Sequence, residues 1–265
     1  MSAIVKTEAV VLRTVKFGES SRIVTFFTES FGKMAGMVKG ARRPGNRFGS
    51  TLQPMSEVSV VIYRKPGRQV QTVSQCDHAW THRIITTDLD RIAVGMQMVE
   101  LVGMVLHDEE ENRELYRLLT SALRKLDDET ISPWPLFYEF EIQLAGALGF
   151  RLDFTRCAGC GRPAGEFIGA GGNVKFDIGR GGPVCGTCNS PTVRGYLLPR
   201  AGMKFLSGLT PGEIGGASSI RAASAGKIGH LENFISEYFM YHLPGYRKLR
   251  SGDVFHPSGP APGNV

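Results

Sequence analysis

Several signatures of common enzyme classes are missing from this chain of 265 residues. No G-x-x-x-x-G-K-[ST] phosphate loop, G-x-S-x-G nucleophile turn or H-E-x-x-H metal motif occurs. The six histidines are scattered and lie at no recognisable spacing from carboxylates. These absences predict that the protein is not an enzyme.

Cysteine is scarce, and its five residues are too few for a disulfide scaffold in a chain of this length. Long apolar runs are also lacking. The most apolar stretch, 92–106, is interrupted by Gln97 and Glu100 and is too short to span a bilayer. Lys6 and Glu8 stand where a signal peptide has an uncharged core. We therefore expect a cytoplasmic protein without a membrane partner.

Charge is divided unevenly along the chain, whose net charge is +6. Residues 1–80 hold twelve Lys and Arg against five Asp and Glu, a net charge of +7. Residues 81–130 hold six Lys and Arg against eleven Asp and Glu, a net charge of −5. A basic module thus precedes an acidic one. A basic module of this size favours a polyanionic partner such as nucleic acid.

The basic module has the composition and turns of short β-strands. Five runs rich in Val, Ile, Phe and Thr follow one another: Ile4–Arg13, Arg22–Thr28, Lys33–Lys39, Glu57–Tyr63 and Gln69–Gln75. Pro66-Gly67 predicts the turn of a hairpin between the last two. Because open sheet edges invite unwanted pairing, these strands favour a small closed barrel. An OB-fold is the first choice and an SH3-like barrel the alternative.

After the basic module, the apolar period changes to that of helices. Helices are predicted from Asp88 to Leu106, from the acidic run Asp108–Glu111 onward, from Ser132-Pro133 to Gly149, and over Ile228–His242. Asp88 is available as a cap, and the negative run suits the positive start of a helix. The chain is therefore predicted to be α+β, with strands first and helices after.

Four of the cysteines form two C-x-x-C pairs separated by 24 residues: Cys157 with Cys160, and Cys185 with Cys188. Two such turns can close a tetrahedron of thiolates around one structural Zn²⁺. Strand-like runs at Glu166–Ile168 and Val174–Ile178 flank a glycine loop between the pairs, which is the layout of a zinc ribbon. Four thiolate ligands would fill the coordination shell of the metal, whereas a catalytic metal needs an open coordination position. Cys76 follows the last predicted barrel strand and is expected to be buried.

Several short motifs stand in a fixed order along the chain. They are Gly18-Glu19-Ser20-Ser21-Arg22, Val38-Lys39-Gly40-Ala41-Arg42-Arg43, Leu148-Gly149-Phe150-Arg151-Leu152 and Tyr241-His242-Leu243. Together with the cysteine pairs, this series resembles the RecO family of bacterial recombination mediators over nearly the whole chain. The resemblance implies an OB-fold barrel followed by a mainly helical domain with an inserted four-cysteine zinc ribbon.

These observations and the resemblance divide the chain into five predicted segments. They are the barrel over 1–80, the first part of the helical domain over 81–150, the zinc-binding insert over 151–195, the last part of the helical domain over 196–250, and a disordered tail over 251–265.

The resemblance implies a non-enzymatic mediator of DNA repair in the bacterial cytoplasm, associated with the nucleoid. Such a protein binds single- and double-stranded DNA and anneals complementary strands. With RecR, and in some settings RecF, it helps RecA replace the single-strand binding protein, whose carboxyl-terminal tail it contacts. The residues alone leave three other classes of protein open: a zinc-ribbon factor in transcription or translation, a thiol-disulfide or metal-dependent enzyme, and a protein adaptor.

An OB barrel binds nucleic acid through a basic groove that follows the phosphates. The candidate cations form two clusters: Lys33, Lys39, Arg42, Arg43 and Arg47 in the third strand and its loop, and Arg64, Lys65 and Arg68 at the hairpin tip. Phe17 and Phe48 are considered as base-stacking rings but assigned no role. An acidic partner tail needs cations beside an apolar pocket, and we place this site near Arg247, Lys248 and Arg250.

Overall fold

The computed structural model describes residues 3–169, 172–191, 194–209 and 228–251. The chain forms two compact units. The first contains Met1–Asp128 and Leu249–Val265, and the second contains Glu129–Lys248. The border between Asp128 and Glu129 falls inside the predicted segment 81–150. The predicted domain boundaries stay a prediction. The predicted tail lies outside the described residues from 252 onward.

Five strands of the first unit close into a barrel with the order β1-β2-β3-β5-β4. They are β1 (Ala3–Phe17), β2 (Ser21–Thr28), β3 (Gly32–Val38), β4 (Glu57–Arg64) and β5 (Val70–Trp80). Strands β3 and β5 pair in parallel, and the other neighbours pair antiparallel. A closed five-stranded barrel of this kind is an OB-fold, so the predicted fold class is confirmed.

Alternate residues of each barrel strand face the interior, as the two-residue period of a strand requires. Val24 and Phe26 on β2 and Val60 and Ile62 on β4 are completely buried there. A one-residue change of register would turn these side chains outward, so burial fixes the strand pairing.

Two strands are longer than predicted because pairing continues beyond their Val-rich segments. Strand β1 stays paired with β2 as far as Phe17, and β5 stays paired with β4 as far as Trp80. Cys76 therefore lies within β5 rather than after it. The thiol is buried as expected, and burial raises its pKa to about 11.

Helices α1 (Leu89–Val105) and α2 (Arg113–Leu126) also belong to the first unit. The Asp88 side chain caps α1 as predicted, accepting a hydrogen bond from the Arg91 amide at 2.9 Å. The prediction that Asp108–Glu111 opens the second helix is wrong. Asn112 caps α2 instead, accepting from the Leu115 amide at 2.9 Å. The acidic run precedes the helix and pairs with barrel cations.

The second unit combines helices with a small antiparallel sheet of order β7-β6-β8. Its elements are α3 (Pro133–Ala147), β6 (Asn173–Asp177), β7 (Gly182–Pro183), β8 (Gly195–Pro199), α4 (Arg200–Ser207) and α5 (Gly229–His242). Helices α3 and α5 lie where the sequence predicts them. The chain leaves α3 through Gly149, whose φ of +91° is left-handed and favours glycine.

The predicted strand over Glu166–Ile168 is wrong, whereas β6 confirms the one over Val174–Ile178. The segment Ala164–Glu166 forms a 3₁₀ turn instead. The Ala164 carbonyl accepts hydrogen bonds from the amides of Phe167 and Ile168 at 3.2 and 3.0 Å. These local bonds take the place of a strand ladder.

Aromatic side chains hold the sheet of the second unit against α5. The rings of Phe176 on β6 and Phe234 on α5 meet edge to face, with centroids 4.9 Å apart. The Tyr238 hydroxyl donates to the Phe150 carbonyl at 2.8 Å. Burial of these rings supplies much of the hydrophobic stabilisation of this unit and fixes the segment that carries the cysteines.

A buried carboxylate ties the barrel to α2. The Glu57 side chain accepts a hydrogen bond from Arg124 Nη2 at 2.7 Å, and its Oε1 lies 3.3 Å from His82 Nε2. Burial alone would raise the pKa of Glu57, but the contacts with His82 and Arg124 outweigh burial and lower it. The folded barrel therefore favours the ionised carboxylate.

We expect Glu57→Gln to destabilise the first unit by about 1–3 kcal/mol at neutral pH, because a charge-assisted bond to a buried group is lost. The folded pKa lies below the ordinary value of 4.5. The stabilisation is therefore complete above that value and is lost as the pH falls through the folded pKa. Urea unfolding of both proteins across this range measures the difference. Equal stability at every pH would contradict the assignment.

Candidate metal centre and nucleic-acid surface

Two tight turns bring the four cysteines of the second unit together. In the first turn the Gly161 amide donates to the Cys157 carbonyl at 2.9 Å, and Gly161 has a left-handed φ of +73°. In the second turn the Cys188 amide donates to the Cys185 carbonyl at 3.1 Å. A Cβ at Gly159 would lie 2.8 Å from Cys188 Sγ, so the close approach of the turns requires glycine there.

The sulfur atoms have the spacing of a tetrahedral metal site. All four Sγ atoms, those of Cys157, Cys160, Cys185 and Cys188, lie within 4.8 Å of one another. The Sγ atoms of Cys160 and Cys185 are 3.8 Å apart. A tetrahedron with metal–sulfur bonds of about 2.3 Å has edges of about 3.8 Å. The cluster could therefore bind one metal ion.

The thiols of this cluster differ in acidity. Burial raises the pKa of Cys157, but hydrogen bonds from the amides of Cys185, Cys160 and Gly159 outweigh burial and lower it to about 6. Hydrogen bonds with the thiols of Cys160 and Cys185 raise the pKa of Cys188 to about 12. Adjacent thiolates repel one another, and a divalent cation would remove that repulsion. Four sulfur donors suit zinc or another thiophilic metal ion in a closed, structural site.

The loop of residues 39–47, here called the basic loop, follows β3 and lies against the turn between β1 and β2. Arg42 Nη1 donates to the Gly18 carbonyl at 2.8 Å, and the Arg42 amide donates to the Ser20 carbonyl at 2.9 Å. Four predicted DNA-binding cations of this loop are exposed: Lys39, Arg42, Arg43 and Arg47. Part of the first predicted cluster is thus held on one end of the barrel.

Of the two phenylalanines considered as stacking rings, only Phe17 is accessible. Phe48 is 5% exposed and belongs to the barrel core, with the Arg47 guanidinium 5.2 Å from its ring centroid. Phe17 is 50% exposed at the end of β1, next to Gly18. An exposed ring therefore lies beside the basic loop. Sequence reasoning missed this difference because both residues stand near loop edges.

Two other candidate cations are held by the acidic run. Lys33 Nζ lies 3.2 Å from an oxygen of Asp108 and donates to the Leu106 carbonyl at 2.7 Å. Arg64 Nη2 lies 3.0 Å from an oxygen of Glu109. These contacts join the barrel to the segment before α2. They also neutralise Lys33 and Arg64, which leaves these two cations less available to phosphates than the basic loop.

The tip of the β4–β5 hairpin carries the remaining cations, Lys65 and Arg68, both exposed. Gln71 fixes its shape: the side chain accepts from the Lys65 amide at 2.9 Å and donates to the Arg68 carbonyl at 2.8 Å. Gly67 supplies the left-handed residue of the turn, with φ +74°. The tip is a second exposed basic patch on the barrel.

The residues predicted to bind a partner tail are exposed and fall in different units. Arg247 and Lys248 end the second unit, and Arg250 belongs to the first. The amides of Arg250 and Ser251 donate to the Glu100 carboxylate at 3.0 and 2.9 Å, which anchors the returning chain in the first unit. Their partner-binding role stays a prediction.

The fold and the cysteine cluster together define an OB-fold protein whose second unit carries four cysteines that could bind a metal ion. Comparison with protein families gives the same class. Residues 1–80 match the family described as Recombination protein O N terminal, and residues 86–251 match Recombination protein O C terminal. The chain belongs to the RecO family, as the motif series indicated.

Curated relatives are named DNA repair protein RecO. The chain is 32% identical to the one from Anaeromyxobacter dehalogenans over 257 residues, which cover 97% of both chains. It is 35% identical to the relative from Chloroherpeton thalassium over 161 residues and 42% identical to that from Salinibacter ruber over 156. These two matches cover 62% and 60% of the relatives, less than two thirds of their length. The family and these names support a role in DNA repair.

In the described part of the chain, none of the helices has the length and apolar character needed to cross a membrane.

Proposed function

We propose that this protein is a non-enzymatic recombination mediator that binds single- and double-stranded DNA and anneals complementary strands. The observation that carries the proposal is the basic loop. Lys39, Arg42 and Arg43 are exposed and held beside the exposed ring of Phe17 on an OB barrel. Cations that follow phosphates and a ring that stacks on bases are the two components of single-strand binding by this fold.

Annealing follows from the same surface. Two DNA strands repel one another through their phosphates, and a protein that neutralises phosphates lowers this repulsion while releasing condensed counterions. The basic loop and the hairpin tip offer six exposed cations: Lys39, Arg42, Arg43, Arg47, Lys65 and Arg68. Contacts to phosphates carry no base identity, so binding is independent of sequence.

The metal proposed for the cysteine cluster is one structural Zn²⁺. Cys157, Cys160, Cys185 and Cys188 would hold it. A bound zinc ion contributes folding free energy by joining the two turns, and the closed shell of four thiolates gives it no catalytic role. The cluster lies in the second unit, so its proposed task is to stabilise that unit.

The proposed partners are those that the family resemblance implies: RecR, the carboxyl-terminal tail of the single-strand binding protein and, in some settings, RecF. RecA is affected indirectly, through loading onto DNA that the single-strand binding protein has coated. The exposed cations Arg247, Lys248 and Arg250 are proposed to contact that acidic tail. The proposed location is the bacterial cytoplasm, at the nucleoid.

DNA binding across a salt series tests the proposal. Fluorescence anisotropy with single-stranded and duplex oligonucleotides of unrelated sequence should give affinities that fall linearly with the logarithm of salt concentration. Each phosphate contact contributes about −0.9 to the slope for duplex DNA and about −0.7 for single strands. If all six cations contact phosphates of duplex DNA, the slope of log affinity against log salt concentration should be roughly −5. A flat salt dependence would contradict binding through the basic loop and the hairpin tip, and binding restricted to one sequence would favour the zinc-ribbon factor instead.

A further inference from the structure

The acidic run, residues 108–111, lies across the end of the barrel at which β3 begins. The Glu109 amide donates a hydrogen bond to the Lys33 carbonyl at 2.9 Å. A Cβ on Gly32 would overlap the Glu110 carbonyl, so the run packs directly on the backbone of β3 and requires glycine there. The run is therefore docked on the barrel through its backbone as well as through its side chains.

The side-chain contacts of the docked run are of a kind that exchanges easily. The Asp108 side chain, which pairs with Lys33, is 84% exposed, and the Glu109 side chain, which pairs with Arg64, is 39% exposed. Exposed ion pairs contribute little free energy, because water and salt compete for both partners. Glu109 also has a left-handed φ of +58°, a conformation that costs free energy in a residue with a side chain. Weak pairs thus hold the run against local strain.

Arg64 is only partly satisfied by the run. Its Nη2 bonds to one oxygen of Glu109 at 3.0 Å, and its guanidinium lies 5.1 Å from the ring centroid of Phe31. Within the part of the chain that the structure describes, its Nε is buried and has no hydrogen-bond partner. A guanidinium can donate two parallel bonds to one carboxylate or phosphate. A phosphate in place of the Glu109 carboxylate could accept from both Nε and Nη2.

The end of the barrel that the run covers also carries the hairpin tip. Arg64 directly precedes Lys65 of the tip, and Ala35 of β3 pairs with Val70, the first residue of β5 after the tip. The seven residues of β3 separate this end from the basic loop. At about 3.3 Å per residue, the separation is about 20 Å. The run therefore places its carboxylates beside one of the two exposed basic patches.

We infer that the acidic run is an intramolecular stand-in for DNA phosphates, which holds Lys33 and Arg64 in the free protein and is displaced from them when DNA binds. The inference rests on the proposed DNA-binding function and adds its regulation. Carboxylates and phosphates accept hydrogen bonds from the same donors, so they compete for these two cations. The competition lowers the affinity of the hairpin-tip end for any polyanion. A DNA strand overcomes it by presenting several phosphates at once.

Replacing Asp108 by Asn and Glu109 by Gln together tests the inference. This neutral-run variant keeps the shape of both side chains and removes their charge. Affinity for single-stranded and duplex DNA should rise about threefold to tenfold at low salt, because two exposed ion pairs no longer compete with phosphates.

Glu111→Gln with Glu114→Gln is the matched control for the neutral-run variant. It makes the same change of net charge at exposed positions close by. Glu111 pairs with Arg113 and not with a barrel cation. The control should raise affinity less than about twofold. An equal rise in the control would show that net charge alone, and not competition for Lys33 and Arg64, sets the affinity.

Arg64→Gln, made in the unaltered protein and in the neutral-run variant, measures the competition directly. In the unaltered protein the substitution should cost less than about twofold in DNA affinity, because the contact with phosphate replaces one with Glu109. In the neutral-run variant it should cost about threefold or more, since Arg64 then has no competing carboxylate. Equal losses in the two backgrounds would show that Glu109 does not compete with DNA.

Hydrogen exchange on the unaltered protein follows the run without any substitution. The bond from the Glu109 amide to the Lys33 carbonyl slows exchange of that amide in the free protein. Displacement of the run breaks this bond, so DNA should speed exchange in peptides that cover residues 107–111. Unchanged or slower exchange in the presence of saturating DNA would show that the run stays in place, and the inference would be wrong.

The outcomes separate this inference from the proposed function. If the unaltered protein binds DNA with steep salt dependence, but the neutral-run variant binds no more tightly than its control, the inference fails and the proposed function stands. If the unaltered protein binds neither form of DNA, the proposed function fails and the inference fails with it.

Discussion

Replacing Arg42 and Arg43 together by Glu is expected to lower the affinity for single-stranded and duplex DNA by well over tenfold at low salt. The double change removes two cations from the basic loop and adds two anions there, so attraction to phosphates becomes local repulsion. Both side chains are exposed. The substitution removes the hydrogen bond from Arg42 Nη1 to the Gly18 carbonyl but keeps the one from the Arg42 amide to the Ser20 carbonyl. The barrel should therefore stay folded.

Anisotropy titrations at several salt concentrations measure this effect, and the salt slope should become shallower because fewer counterions are released. Arg113→Glu with Arg117→Glu is the matched control, since it makes the same change of net charge on exposed positions of α2. The control should reduce affinity far less. If the basic-loop variant binds both forms of DNA normally, the assignment of that loop as a DNA surface is wrong.

Replacing Cys157 and Cys185 together by Ser is expected to abolish zinc binding and to lower the thermal stability of the second unit sharply. The double substitution removes one ligand from each turn, which leaves two thiols that cannot complete a tetrahedral site. Zinc contributes about 10–16 kcal/mol of apparent binding free energy in small zinc-dependent folds at neutral pH. The cost here should be smaller, because the aromatic contacts between Phe176 and Phe234 and the bond from Tyr238 to Phe150 involve none of the four cysteines.

Elemental analysis of the purified proteins measures the zinc content. Thermal unfolding monitored by circular dichroism measures the thermal stability. Cys76→Ala is the matched control. Cys76 is buried in the barrel of the first unit, so its replacement should leave the zinc content unchanged. Zinc retained by the Cys157/Cys185 variant would show that the ligands are misassigned. Zinc lost with no change in thermal stability would contradict a structural role for the ion.

The barrel could be predicted from the sequence because the apolar runs of the basic module show the strand period and end at Gly and Pro turns. The four thiols could be predicted to converge because C-x-x-C spacing fixes each pair within one turn. Helix α1 could also be predicted, since Asp88 stands where a cap is needed and the structure uses it as one.

Contacts between distant segments could not be predicted in the same way. The acidic run has the charge of a helix start, but Asp108 and Glu109 pair instead with cations more than forty positions earlier in the chain. Glu57 reads as the first residue of a strand, and nothing local indicates that Arg124 will bind it. Such pairs depend on tertiary packing, which overrides local preference.

Exposure of the side chains near the ends of the barrel strands depends on how the loops pack there, which local sequence does not indicate. Phe17 and Phe48 look alike as sequence, yet one is half exposed and the other belongs to the core. Phe48 is packed with the core residues of the barrel strands, and nothing in its neighbouring residues indicates that contact.

The proposed function requires this chain to speed the annealing of DNA strands that are coated with the single-strand binding protein. Two complementary oligonucleotides, each covered with the single-strand binding protein, should anneal faster when this protein is added, and the acceleration should fade as salt rises. The Arg42→Glu/Arg43→Glu variant should give much less acceleration. No acceleration by folded, zinc-loaded protein at any salt concentration would contradict the mediator function.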